Sequence, residues 1–214
     1  SSTIHHHSIM NIAIIGTGNV GGALAQGLAR AGHRVRLGVR DLQQFKGKHL
    51  LDSSPGISVH TVHDAVQASD TIILAAPAQV AHEVAQQLGD VSGKIIIDAM
   101  NGVFMRPEGF ANTTDAILAN CNTSDVVKCF NSTGFENMLD PHYGATAADM
   151  FVAGDSARGK ETAAQLARDL GFGEVWDFGG LDKVSLLEQF ALCWINLAIM
   201  QKQGRNIAFK VLRR

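Results

Sequence analysis

The sequence is short of several features that mark specialised proteins. It has three cysteines in 214 residues (Cys121, Cys129 and Cys193) and no C-x-x-C pair. That odd count and wide spacing exclude a disulfide framework and a cysteine zinc site, and predict reduced, buried thiols in the cytoplasm. Charge of either sign is scarce in excess: the net charge is −2, with no basic stripe of the kind a nucleic-acid partner needs. No uninterrupted apolar run reaches the roughly 18 residues of a membrane span. The nearest, LLEQFALCWINLAIM, is shorter and carries Glu188. There are only four prolines, no internal repeat and no low-complexity tract. G-x-S-x-G is missing. His60 and His63 sit one helical turn apart without a third ligand, so no metal site is expected. The remaining histidines read as structural: His33 as a cap or surface group, His82 as an exposed helix residue.

What is present is a regular alternation. Hydrophobic residues make up 46% of the chain, enough for a sizeable core. Residues 1–9, SSTIHHHSI, look like part of a histidine tag and are expected to be disordered. Residues 10–214 read as one domain. Apolar runs such as NIAIIG, RVRLGV, TIILAA, KIIIDAM, DVVKCF and MFVAG alternate with helical patterns. In the first helix Val20, Leu24 and Leu28 share a face. Thr113 is a candidate cap for TTDAILAN, and Gly171 a C-cap after Ala163, Leu166 and Leu170. EVWDFG closes the sheet, and a long final helix spans about 182–203. Continuous apolar strands alternating with helices imply an α/β, Rossmann-type doubly wound, mostly parallel sheet, here with a small C-terminal helical extension.

The first strand runs into Gly16-Thr17-Gly18-Asn19-Val20-Gly21. This G-x-G-x-x-G follows a strand and opens a helix, the context in which it binds a dinucleotide; without that context it is only a tight turn. Gly16 permits the turn, Gly18 the approach of a pyrophosphate, and Gly21 the packing of the helix. The free N–H groups of the helix start then face the phosphates. NAD sites place a carboxylate at the end of the second strand, on the ribose 2′-hydroxyl. Here that place is Val39, followed by Arg40, whose paired N–H donors suit a 2′-phosphate. Thr17 is placed to touch the same phosphate or the adenosine. The expected cofactor is therefore NADP(H), unless Arg40 is merely a solvated charge. Asp41 either caps the next segment or swings in to the ribose.

Several segments together resemble one known family. GTGNVGGALAQGLARAGHRVRLGVRD, AAPAQ, IIIDAMNG, VVKCFNSTGFENM, MFVAGDSARGKETAAQLARDLGF and IAFKVLRR are similar to NADP-dependent oxidoreductases that exchange hydride with the deazaflavin coenzyme F-420 (F420). A more distant similarity is to the cytosolic domain of STEAP-type ferric reductases. The resemblance implies that Gly16, Thr17, Gly18, Asn19 and Val20 hold the pyrophosphate and Arg40 the 2′-phosphate. It places Ala76 and Pro77 against a ribose or the nicotinamide, and Asn131 near the nicotinamide. The chain departs from the family pattern at Val39, Gln44 and Asn131, where members carry serine, lysine and histidine. A homodimer is implied as well, with the C-terminal region packed between subunits.

Hydride transfer between two rings asks a protein mainly to bind and align them. Asn131 and Ser132, with Thr133, are the candidate catalytic groups; they could bond the nicotinamide carboxamide or a carbonyl of the second ligand, or simply form a turn and helix cap. Asn101 and Gly102 line the second pocket or turn the chain. Trp194 and Met200 read as core or dimer contacts, Lys183 as a surface residue. Flavin or another flavin-like ring is the alternative acceptor. Two rival readings stand beside it: an NADPH-dependent reductase of a small carbonyl or imine, and a non-catalytic NADP sensor. AFKVLRR is then an interaction tail or a docked terminus. About eighty residues follow the FNSTG turn, few for a large substrate domain.

Overall fold

The computed structural model describes residues 8–214. The tag-like stretch falls outside that range except for Ser8 and Ile9, which are irregular and exposed. The strands are β1 (Asn11–Ile15), β2 (Arg34–Val39), β3 (Ile57–Thr61), β4 (Thr71–Leu74), β5 (Ile95–Asp98), β6 (Val126–Cys129), β7 (His142–Tyr143), β8 (Thr146–Ala147), β9 (Met150–Ala153) and β10 (Val175–Gly179). The helices are α1 (Asn19–Arg30), α2 (Leu50–Ser53), α3 (Val62–Gln67), α4 (Ala81–Gln87), α5 (Thr113–Ala119), α6 (Phe135–Leu139), α7 (Ala157–Asp169) and α8 (Val184–Ile195).

Eight strands form one sheet in the order β10-β9-β6-β5-β4-β1-β2-β3. The β6–β9 pair is antiparallel and every other pair in that sheet is parallel. The strand order reverses between β1 and β4, where a doubly wound sheet opens its ligand crevice. Each central strand feeds both faces, because successive side chains point to opposite sides. Ile12, Ile14, Ile73, Ile95 and Ile97 join one core with Leu24, Leu28 and Leu166. Ala13, Ile15, Ile72, Leu74 and Ile96 join the other with Val84, Leu88 and Ile117. A third cluster lies under α8, where Phe151, Phe178, Phe190 and Phe209 stack edge-to-face or in parallel.

Several local expectations change. Thr113 does not cap α5: the Asn112 side chain does, accepting from Asp115 N at 2.8 Å, and Thr113 is buried one residue inside. His33 is not a surface group but 2% exposed, with Nε2 2.8 Å from Asp169 and Nδ1 accepting from Met10 N at 3.0 Å. His82 is half-buried rather than exposed. Of the cysteines, all unpaired, Cys129 is buried, Cys121 partly so and Cys193 exposed. The hairpin of β7 and β8 was not foreseen, since its two-residue strands carry no periodic signal.

The last helix begins as a short 3₁₀ turn (Leu181–Lys183), continues as α8 and ends in a π turn at Asn196–Met200. It stops short of 203 because Lys202 adopts φ 58° and Gly204 φ 88°, which turn the chain back. Leu181–Met200 is the one helix among the described residues long and apolar enough to cross a membrane, with mean hydropathy 1.3 over its apolar window. Beyond it the chain runs across the surface without regular secondary structure. Trp194 Nε1 donates to Ile207 O at 2.7 Å, and Asp149 accepts from Val211 N and Lys210 Nζ at 2.9 and 3.0 Å. Arg205 stacks on Phe135 and Trp194. AFKVLRR is thus a docked terminus.

Candidate functional site

The crevice at the β1/β4 reversal is built first from main chain. Gly16 has φ +102°, and a Cβ there would lie 2.6 Å from the Ala75 carbonyl. Only glycine lets β1 turn so close to the end of β4. A Cβ at Gly21 would fall 1.8 Å from Gly16 O, so the third glycine lets α1 seat on the turn itself. Gly18 has no atom within 4 Å of its ideal Cβ. It is the one glycine of the three that faces open space, where a diphosphate fits. No side chain caps α1 there, so the first-turn N–H groups stay available to an anion.

Gly16, Thr17, Val39, Arg40, Ala76 and Pro77 line a cleft of about 440 Å³. Gly18 and Asn19 line an adjoining hollow of about 300 Å³ with Lys46, His49 and Phe135. Val20 enters neither; it packs against the core. Arg40 is exposed at the rim. Asp41 lines the same cleft, with Oδ1 accepting from Gln43 N at 2.9 Å to close a local turn. The residue straight after β2 is thus a cation, and the carboxylate beside it has one oxygen held in a local turn.

The far side of the crevice is built differently. β6 ends at Cys129, and Phe130 takes φ 66°, a left-handed conformation costly for a bulky residue. That bend aims Asn131 at α8. Asn131 is 4% exposed. Its Nδ2 donates to Asn101 Oδ1 at 2.9 Å and to Leu187 O at 3.2 Å, while Asn101 Nδ2 donates to Asn131 O at 2.8 Å. Ser132 points into the core, its hydroxyl 3.8 Å from Met150 Sδ. Thr133 accepts from Asn137 Nδ2 at 2.8 Å.

Beneath this turn lies a charged cluster that pattern-reading missed. Lys128 is wholly buried, and its Nζ sits 2.9 Å from Asp98 Oδ2 and 3.1 Å from Glu188 Oε2. It also donates to Met100 O at 2.6 Å and Thr113 Oγ1 at 2.8 Å. Thr114 donates to Asp98, and Gly102 N to Glu188 at 3.1 Å. A buried charge is tolerated only when so paired. The available signal was a lysine inside an otherwise apolar strand and a glutamate inside an apolar helix, two exceptions that answer each other.

Residues 11–102 match the family described as NADP oxidoreductase, coenzyme F420-dependent. Over that segment the chain is similar to this family of NADP-dependent oxidoreductases. The F420-dependent NADP reductase of Methanothermobacter thermautotrophicus is 28% identical over 222 residues, covering 95% of each chain. A crystal structure from Arthrobacter sp. FB24, assigned as an F420-dependent NADP reductase, superposes with TM-score 0.79 at 26% identity, over 95% of this chain and 100% of that one. An imine reductase from Pseudomonas sp. shares the fold at 16% identity and TM-score 0.63, over 91% of this chain and 62% of that one. The matched segment holds the glycine turn, Arg40 and Ala76-Pro77; Lys128, Asn131 and Glu188 lie beyond it.

Proposed function

We propose that the protein transfers a hydride between NADP(H) and the deazaflavin F420. The observation that carries this reading is the end of β2, where Val39 is buried, Asp41 is engaged in its own turn and Arg40 stands at the rim of the dinucleotide cleft. A guanidinium there favours the 2′-phosphate of NADP(H) and has no use for the bare ribose of NAD(H). The end-to-end likeness to an F420-dependent NADP reductase supports the acceptor.

NADPH, when bound, supplies the hydride. The glycine turn and the start of α1 hold its diphosphate, Arg40 its 2′-phosphate, and Ala76 and Pro77 wall the cleft. The overall exchange takes one hydride from NADPH and one proton from solvent to give NADP⁺ and the reduced deazaflavin. No side chain has to accept electrons, which suits a site made of main chain, amides and apolar groups. Asn131 is the polar residue placed to orient a ring; the hydroxyl of Ser132 is engaged within the core.

The same reading places the protein in the cytoplasm as a homodimer with no membrane or nucleic-acid partner. Leu186, Leu197, Ile199 and Met200 are 41–55% exposed along the last helix, and a second copy covers them. The buried Glu188 on that helix is already committed to the sheet.

The test is NADPH oxidation with F420, FMN, FAD, ferric chelates, small ketones and cyclic imines side by side. F420 is expected to turn over fastest. Turnover with imines alone would replace this reading with that of an imine reductase, and tight NADPH binding without any acceptor would leave a sensor.

A further inference from the structure

The Asn131 side chain has one atom the protein does not use. Oδ1 is buried and has no hydrogen-bond donor among the described residues. Its identity as the oxygen is fixed by its surroundings: the other end of the amide faces Leu187 O, a carbonyl that only a donor can meet. It also faces Asn101 Oδ1, whose own orientation is set because Asn101 Nδ2 donates to Asn131 O. Flipping either amide would set oxygen against oxygen. A buried acceptor left without a donor is costly, and such groups in native proteins call for an explanation.

This acceptor sits two residues past β6, at the carboxyl edge of the sheet, on the side of the strand-order reversal opposite Arg40. A dinucleotide whose adenosine lies over β2 reaches across the glycine turn toward β4, β5 and β6. Its far end carries a carboxamide with N–H donors.

What holds the acceptor there is the ion cluster. The Leu187 carbonyl that takes Asn131 Nδ2 belongs to the residue preceding Glu188. The Glu188 carboxylate grips Gly102 N and Lys128 Nζ, and Lys128 grips the Met100 carbonyl. Met100 and Gly102 flank Asn101, the other partner of Asn131. So one carboxylate registers α8 against the loop after β5, and both partners of Asn131 are fixed by that registration.

We propose that Glu188 is a positioning residue which, through Lys128, Gly102 and Leu187, presents Asn131 Oδ1 to an N–H donor on a bound ligand ring. An acceptor at this place selects a ligand amide and rejects a ligand carbonyl, which narrows the earlier choice between them. The donor is the nicotinamide carboxamide or the imide N–H of the acceptor ring.

This inference rests on the NADP(H) reading, and binding separates the two. The probes are NADP⁺ and its 3-acetylpyridine analogue, in which a methyl ketone replaces the amide and no N–H remains. Dissociation constants come from calorimetry on the whole chain. The unaltered protein is expected to prefer NADP⁺ by about three- to tenfold, the range of one neutral hydrogen bond. Asn131→Leu and Glu188→Ala should abolish that preference, and Glu188→Gln, whose amide oxygen can still accept from Gly102 N, should restore it. Should Glu188→Ala not fold, Asn101→Ala frees the same amide and should give the same loss. A parallel arm compares KM for a flavin-type acceptor with that for its N3-methyl derivative. Preference confined to this second arm, and erased by Asn131→Leu, assigns the donor to the acceptor ring. Equal binding of both dinucleotides together with equal KM values overturns the inference. Failure to bind either dinucleotide overturns the NADP(H) reading instead.

Discussion

The two sides of the crevice are made by different means. The β1–β2 side is built around a local segment: the glycine turn and Arg40 belong to one βαβ unit, and the cleft they line is open. The β5–β6 side is assembled from Asp98, Thr113, Lys128 and Glu188, distant in sequence and buried together. One side exposes its cations, Arg40 and Lys46, to solvent. The other hides a lysine and two carboxylates, whose cost is offset only by mutual pairing. On the proposed reading the first side is where a ligand's charge is read, so removing a group there should weaken binding but leave the fold. The second side holds the framework, and removing a group there should unfold it first.

That contrast can be broken by substitution. Lys128→Ala should have the largest effect, because it leaves Asp98 and Glu188 as uncompensated buried acids. A loss of about 3–5 kcal/mol is expected. For a chain of this size it should appear as a fall in melting temperature of roughly 10 °C. A melting point within a degree or two of the unaltered protein would mean the cluster is not the framework described.

Arg40→Ala should do the reverse. Affinity for NADPH is expected to drop by about 10- to 100-fold, the scale of a charge-assisted hydrogen-bond pair. Affinity for NADH and the melting temperature should stay unchanged. If both dinucleotides weaken alike, Arg40 does not read the 2′-phosphate.

A smaller effect separates the core from the docked terminus. Burial alone would raise the Asp149 carboxyl. The bonds from Trp176, Val211, Lys210 and Glu174 outweigh it and hold the group below its ordinary 3.8. A folded-state value lower than the unfolded one adds stability above the unfolded value, and that stability is lost as pH falls through the folded value. Below about pH 4 the strap should therefore loosen, so that proteolysis near Lys210 quickens on acidification; in Asp149→Asn that pH dependence should vanish. The least effect concerns thiols. Burial pushes Cys129 up to about 12, whereas Cys193 is exposed. An alkylating reagent should spare Cys129 in the native protein and label it only on unfolding. Rapid native labelling of Cys129 would contradict its burial.

How much of this could be read in advance follows the same division. The glycine turn, Val39 and Arg40 were legible because a dinucleotide turn is a short-range device: its residues are neighbours, and each glycine is forced by a contact within one turn of chain or with the adjacent strand end. The alternation of TIILAA and KIIIDAM with helices was legible because a parallel sheet buried on both faces demands it. Asn131 was identified as a polar residue at the sheet edge, but its polarity of bonding was not. A threonine before a helical run suits a cap, but the Thr113 hydroxyl is used by Asp98 and Lys128 instead. His33 looked superficial because its partner, Asp169, is 136 residues away.

By itself the sequence determined the class of fold, the dinucleotide turn and the cationic rim that goes with NADP(H), because these depend on periodicity and on adjacent residues. Only the tertiary structure decided which buried charges meet, which way the Asn131 amide faces and what the last helix does. Burial makes a charge or an amide choose its partner by distance in space, and chain folding brings together residues whose separation along the sequence carries no trace of that choice.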